Sequence, residues 1–448
     1  MEIPSLNLKG SPIEIKYTEN EGRYVVASRD LEAGETILLA RSYVSIASDN
    51  VKKNVCNHCL QYSPSTLVER CSGCRQVYWC DTYCYLSNRD IHKHYECKYF
   101  KNFNKDYLNQ QSTATTSATS QSSSSTSSST SSSQPPLAYK FDDDDWTEIR
   151  MLVAILSRFI AIKYLGVGEL KAEMPTIQGM TLNFADSTLQ DVLSLVENKI
   201  TESNNKAACK LINLIERYVT LLIKDVHQPQ DHTNKKKRQQ QQEESQVQLQ
   251  QPKLNEQQLD EIISMIRPIT CKIRCNQFGI WSKKDKCLGV SVTPIASYFN
   301  HSCCPNIVDV RGTTLLEFKA LHFIPKGSQL CISYLDLDQT TDSRQDYLIY
   351  SYYFKCGCKR CNDKGDSIDN WISQFYCQGT KKCSGTYFLE DEERQLHKDI
   401  LTKSNDNTSA TTTATTNQTN KVNLTCSYCW KKRPFKLETL LNPPSNLI

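Results

Sequence analysis

No stretch of the 448-residue chain approaches the roughly 18 consecutive apolar residues that a membrane-spanning helix needs, which excludes such a helix. The start, MEIPSLNLKGSPIEIKY, has no basic region followed by an apolar core. No secretory leader is read there, and an intracellular location, nucleus or cytoplasm, is expected. Excess charge is lacking too. The 53 Lys and Arg and 49 Asp and Glu leave a formal net charge of +4, too weak a field to point to nucleic acid. What the chain does have is 21 cysteines. In a reducing compartment such a number reads as metal ligation rather than disulfide bonding.

Three low-complexity tracts cannot bury apolar surface: a Ser/Thr run from Ser112 to Ser133, KKKRQQQQEESQVQLQQ from Lys235 to Gln251, and an Asn/Thr run from Asn405 to Asn420. All three are expected to be disordered insertions. The basic Lys235 to Arg238 run is read as solvated charge in preference to a nuclear-import signal. Apolar residues recur at helical spacing in WTEIRMLVAILSRFIAIKYL (Trp146 to Leu165) and ACKLINLIERYVTLLIKDV (Ala208 to Val226), and a third helix is expected from Asn255 to about Arg267. The N-terminal IEIKYTENEGRYVVASRDLEAGETILLA instead alternates apolar and polar residues around turns at Glu21-Gly22 and Ala33-Gly34, and short strands recur between Val290 and Ser333. The fold class is therefore α+β, with a sheet region split in sequence by a cysteine module and a helical segment.

From Val55 the chain reads VCNHCLQYSPSTLVERCSGCRQVYWCDTYCYLSNRDIHKHYEC. A C-x2-C turn sets two thiolates on one side of a knuckle, and a tetrahedral zinc ion needs two such pairs. Joining the first pair with the third and the second with the fourth gives a cross-braced module that metal would fold with almost no hydrophobic core. The assignment is Cys56, Cys59, Cys80 and Cys84 for one ion and Cys71, Cys74, His92 and Cys97 for the other. This stretch resembles the MYND zinc finger, including the aromatic Trp79 before the C-x3-C pair. Four residues rather than the family's three separate His92 from Cys97, which makes His94 a rival ligand. The seven residues between Cys84 and His92 match the family's spacing and favour His92, while His94 and His58 are read as surface residues.

Three further segments follow in order: PIASYFNHSCCPN from Pro294 to Asn306, IPKGSQLCISYLD from Ile324 to Asp336, and YFKCGCKRC from Tyr353 to Cys361. They look like the NHSC-x-PN, G-x-x-L-x-I-x-Y and C-x-C-x2-C motifs of the SET domain. With the MYND module and helical insert, the order of parts resembles the SET and MYND domain-containing family of protein lysine methyltransferases. On that resemblance the first part of the SET domain spans 10–50, the MYND finger 55–97, the Ser/Thr insert 112–133, and the helical insert 140–270, disordered over 230–252. The SET core spans 271–336, the post-SET zinc element 337–365, and a C-terminal region 370–448. The implied fold is a set of small, mostly antiparallel sheets with S-adenosylmethionine on one face and a lysine channel on the other.

The resemblance also implies roles. Tyr334 is the catalytic candidate, placed to position the amine and the methyl group. Gly22, Asn300, His301, Tyr334 and Phe354 are the cofactor-binding set. Asn20 and Glu21 depart from the family's G-x-G turn, although Asn tolerates the left-handed backbone better than most residues. Cys303 would complete a third zinc site with Cys356, Cys358 and Cys361, and Cys304 is read as a bystander. Cys377, Cys383, Cys426 and Cys429 suggest a fourth zinc ion in a ribbon interrupted by the Asn/Thr tract, whereas Cys209, Cys271, Cys275, Cys287 and Cys331 are read as structural. The expected activity is S-adenosylmethionine-dependent lysine methylation of a histone or another protein, with a catalytically weak MYND-type interaction scaffold as the alternative. Expected partners are the lysine-bearing substrate and proline-rich peptides at the MYND module. A monomer is expected, and no marked basic excess in that module argues for direct DNA binding.

Overall fold

A computed structural model describes residues 8, 10–103, 140–171, 185–227, 254–282, 286–310, 315–363, 367–377, 383, 386–390, 393, 421–436 and 439. The three low-complexity tracts, with the Lys235 to Arg238 run, lie outside the described residues. Among the described residues no helix is long and apolar enough to cross a membrane. The chain divides into two compact units, one made of 1–300 with 306–332 and the other of 301–305 with 333–448.

In the first unit, strands far apart in sequence share sheets. Ile13–Thr18 and Gly22–Ala27 form an antiparallel hairpin. Thr36–Arg41 lies against Leu315–Ala320, which also pairs with Ile307–Val310. Val44–Ala47 pairs with Cys287–Val292, which pairs in turn with Gln277–Trp281. All these pairings are antiparallel, so the sheet region split in sequence is reassembled as small sheets in an α+β fold.

Among the described residues, three long helices lie in the gap in sequence. Asp143–Tyr164 opens on a capping box between Asp142 and Asp145, and nearly every side chain from Asp145 to Ala161 is buried, as its apolar residues on all sides require. Lys206–His227 and Glu256–Asn276 pack against it and each other, the latter opening on a capping box between Asn255 and Gln258. The last helix does not stop near Arg267. It runs through Pro268 to Asn276, because losing one N–H is offset by burying Ile269, Cys271 and Ile273 and by a two-pronged Arg274 to Glu148 ion pair at 2.6 Å per bond.

The cysteine module shares this core instead of doing without one. Trp79, Tyr99 and Phe100 are each 1% exposed and belong to the same apolar cluster as Trp146, Ile149 and Leu152 of the central helix. Arg150 of that helix is fully buried and donates to the carbonyl of Ala47 at 2.9 Å. In the second unit, helix Thr341–Tyr352 precedes the CGCKRC segment, and a small antiparallel sheet joins Tyr387–Phe388, Lys421–Cys426 and Lys432–Lys436.

Candidate active site and metal centres

The cysteine module brings its predicted ligands together. The ligand atoms of Cys56, Cys59, Cys80 and Cys84 lie within 4.8 Å of one another, as do those of Cys71, Cys74, His92 and Cys97. The Sγ separations Cys59–Cys80 (3.7 Å), Cys80–Cys84 (3.4 Å) and Cys71–Cys97 (3.5 Å) sit near the edge of about 3.8 Å that a tetrahedron with Zn–S bonds of about 2.3 Å requires. Both donor sets thus fit zinc. His92 Nε2 lies 3.2 Å from Cys74 Sγ, while His94 is exposed. His58, within the first knuckle, is buried and not on the surface.

The two C-x2-C knuckles of the cysteine module have the same backbone. The N–H of Leu60 bonds to the carbonyl of Cys56 at 3.0 Å, and that of Arg75 to Cys71 at 2.9 Å. Leu60 and Arg75 are left-handed, with φ of 59° and 58°. Non-glycine residues rarely adopt that conformation unless their surroundings impose it.

In the first unit, the turn between the two N-terminal strands carries Glu21 and Gly22. Gly22 has φ of +66°, a conformation that favours glycine, and a Cβ built there would meet nothing within 4 Å. Asn20, by contrast, does not use the left-handed region. Asn300 donates through Nδ2 to the carbonyl of Glu21 at 3.2 Å and lies 3.4 Å from its carboxylate, which Gln329 also approaches.

In the second unit, His301, Tyr334, Tyr352 and Phe354 form one aromatic group. Ring centroids are 5.3 Å apart for His301–Tyr334, 4.9 Å for Tyr334–Tyr352, 6.0 Å for His301–Phe354 and 6.4 Å for Tyr334–Phe354. Burial, helped by the charge of Arg344, lowers the His301 pKa to about 4 and keeps the ring neutral. Its Nδ1 then accepts the backbone N–H of Tyr334 at 3.0 Å, which leaves the proton on Nε2, 3.3 Å from Cys303 Sγ.

Cys303 meets Cys356, Cys358 and Cys361, all four sulfurs lying within 4.8 Å of one another. This donor set also fits tetrahedral zinc. Two residues beyond the predicted set hold it. Arg344, fully buried, donates from Nε to Cys303 Sγ at 3.2 Å and offsets the negative charge of clustered thiolates. Gln345 grips the Cys356 peptide from both sides, donating to its carbonyl at 2.7 Å and accepting its N–H at 2.9 Å. Tyr353, with φ of 62°, ends the helix and turns the chain into Phe354 and the cysteine triplet. Cys304 is exposed and outside the cluster. The sequence carried no local sign of Arg344 or Gln345, but the run of tyrosines before Cys356 was a visible sign of Tyr352.

A family model described as SET domain matches residues 22–335. A SET and MYND domain-containing protein of Dictyostelium discoideum is 39% identical over 392 residues, covering 84% of this chain and 88% of that protein. A histone-lysine N-methyltransferase of Arabidopsis thaliana is 23% identical over 378 residues, covering 84% of this chain and 60% of that protein. An N-lysine methyltransferase of Xenopus laevis is 20% identical over 351 residues, covering 77% of this chain and 59% of that protein.

Proposed function

The chain belongs to the SET domain family and, within it, to the SET and MYND domain-containing proteins, and from that premise we propose that it is an S-adenosylmethionine-dependent protein lysine methyltransferase. The observation that carries this reading is Tyr334 packed between His301 and Tyr352, with its backbone N–H held by the His301 ring. S-adenosylmethionine, when bound, supplies a methyl group made electrophilic by its sulfonium. The protein must then present a neutral lysine amine in line with that carbon and exclude water. A free lysine titrates near 10.4, and the aromatic walls of Tyr334 and Tyr352 would disfavour its charged form by desolvation. Tyr334 supplies the hydroxyl beside the reacting groups. Gly22, Asn300, His301 and Phe354 hold the cofactor, the glycine by allowing close backbone approach.

Zinc at Cys56, Cys59, Cys80 and Cys84, and at Cys71, Cys74, His92 and Cys97, braces the MYND module, a recognition element for proline-rich peptides. Zinc at Cys303, Cys356, Cys358 and Cys361 fixes the segment that carries Phe354. The substrate is a histone or another protein, and the chain works as a monomer without direct DNA contact. So many thiolate ligands require a reducing compartment, nucleus or cytoplasm. One observation favours the scaffold alternative: Glu21 engages the amide of Asn300, a group assigned here to the cofactor. Tritiated S-adenosylmethionine offered with histones and with cell extract decides between them. Methyl transfer by the wild type and its loss in Tyr334→Phe is the expected result. No heat of cofactor binding in calorimetry of the zinc-loaded wild type would leave the scaffold reading.

A further inference from the structure

Cys426 and Cys429 close the hairpin between Lys421–Cys426 and Lys432–Lys436, and Cys377 and Cys383 approach them from the chain before it. Cys377 Sγ lies 3.7 Å from Cys429 Sγ, and Cys383 Sγ 3.6 Å from Cys426 Sγ. All four sulfurs lie within 4.8 Å of one another. The separations match the tetrahedral edge of about 3.8 Å expected for zinc with four thiolates.

The backbone supplies an independent sign. The N–H of Trp430 bonds to the carbonyl of Cys426 at 3.0 Å, as Leu60 does to Cys56 and Arg75 to Cys71. Trp430 is left-handed with φ of 58°, the value found at the two knuckles of the cysteine module. The N–H groups of Tyr428 and Cys429 both point at Cys426 Sγ at 3.4 Å, the arrangement that stabilises a thiolate, and His58 does the same for Cys56 at 3.5 Å. A left-handed tryptophan is costly, and metal ligation gives it a cause.

Packing also leaves a role for metal. Among the described residues, the sheet buries Val422, Leu424 and Phe435, against which Phe375, Tyr387 and Leu389 pack. Among the described residues this is a small core, and small modules of this kind commonly take a structural metal or disulfides. We propose that Cys377, Cys383, Cys426 and Cys429 bind a fourth zinc ion, forming a ribbon whose two halves are brought together across the 42 residues between Cys383 and Cys426. This assignment does not depend on the methyl-transfer reading.

The test uses the full chain. Elemental analysis should give four zinc ions per wild-type molecule and three for the Cys426→Ser, Cys429→Ser double variant. Because that variant could lose its fold, a second measurement uses wild type alone, with alkylation by N-ethylmaleimide followed by peptide mass spectrometry. Exposed Cys287 and Cys304 should react at once, and Cys377, Cys383, Cys426 and Cys429 only after chelation. Three zinc ions in the wild type, iron in place of the fourth zinc, disulfide-linked peptides from this cluster, or alkylation of Cys383 and Cys429 as fast as Cys304 would each overturn the proposal.

Discussion

Arg158 donates to the carboxylate of Glu96 at 2.6 Å, joining the central helix to the zinc-ligating module. The other oxygen of Glu96 lies 3.1 Å from Nδ1 of His92, whose Nε2 faces Cys74. Burial opposes ionisation of Glu96, but the charge of Arg158 and the His92 ring outweigh it and hold the carboxyl down at about 2. Removing Arg158 would leave the buried Glu96 carboxylate with the His92 ring but without its cationic partner. Arg158→Ala should therefore destabilise the protein by about 3–5 kcal/mol, read from urea unfolding. Glu96→Gln should weaken zinc at the Cys71, Cys74, His92, Cys97 site by about 10–100-fold, read by chelator competition, because an orienting partner of a metal-bound histidine is lost. Unfolding and zinc release unchanged in both variants would mean that the pair neither braces the module nor orients the ligand.

Tyr334→Phe removes one hydroxyl and keeps the ring that packs on Tyr352 and His301. The fold and the affinity for S-adenosylmethionine should persist, with a drop of about 100-fold or more in kcat, the scale for losing one polar group directed at a transition state. A change in KM alone, with kcat retained, would assign Tyr334 to substrate binding. Tyr352→Ala removes ring area from the same wall and should weaken peptide binding as well as turnover.

How far the site was legible follows from how local each feature is. A zinc knuckle is a four-residue event, so Cys56, Cys59, Cys71 and Cys74 could be grouped from spacing. The choice of His92 over His94 has a physical cause in helix Thr82–His94, where residues two apart point about 200° from each other. One faces the metal set and the other faces solvent, and the extra residue before Cys97 is absorbed at the break between this helix and Cys97–Lys101. The passage of a helix through Pro268 was not legible, because it depends on the Arg274–Glu148 pair more than a hundred residues apart in sequence. Nor was the grip of Asn300 on Glu21, which joins residues 279 apart. Arg344 and Gln345 were missed for the same reason: their sequence neighbours are unremarkable, and only packing turns them toward Cys303 and Cys356.

His227, the last residue of helix Lys206–His227, is partly buried against Tyr99, with 2.9 Å between the Tyr99 hydroxyl and Nε2. Burial, reinforced by the charge of Lys98, lowers its pKa to about 4, whereas in the unfolded chain it titrates near 6.5. Between these values the unfolded state takes up a proton that the folded state does not. Stability from this group is therefore complete above about pH 6.5 and falls as pH drops toward 4. At most about 3 kcal/mol is involved, reduced by the partial exposure of the ring. His227→Phe should flatten the decline of Tm between pH 7 and pH 5 relative to wild type. Equal slopes in the two proteins would show that His227 is not the titrating group.

Metal removal should act differently at different sites, because the sites are built into different structures. Cys56, Cys74 and Cys84 belong to the same apolar cluster as Trp79, Trp146 and Ile149. Loss of either module zinc therefore uncovers part of the core under the central helix, and Cys74→Ser should lower Tm by several degrees and reduce turnover indirectly. Among the described residues, the apolar cluster around Cys303 consists of Leu348, Cys356 and partly buried neighbours that include Tyr334, Tyr352 and Phe354. Its loss frees the aromatic group without opening the large core. Cys361→Ser should thus abolish methyl transfer while leaving the main thermal transition nearly in place, and Arg344→Gln should increase zinc loss at the same site by removing the charge beside Cys303 and Cys361. Calorimetric scans paired with activity at matched zinc content separate the two effects. If Cys361→Ser lowered Tm as much as Cys74→Ser, zinc at the active-site segment would be a global staple and not a local one.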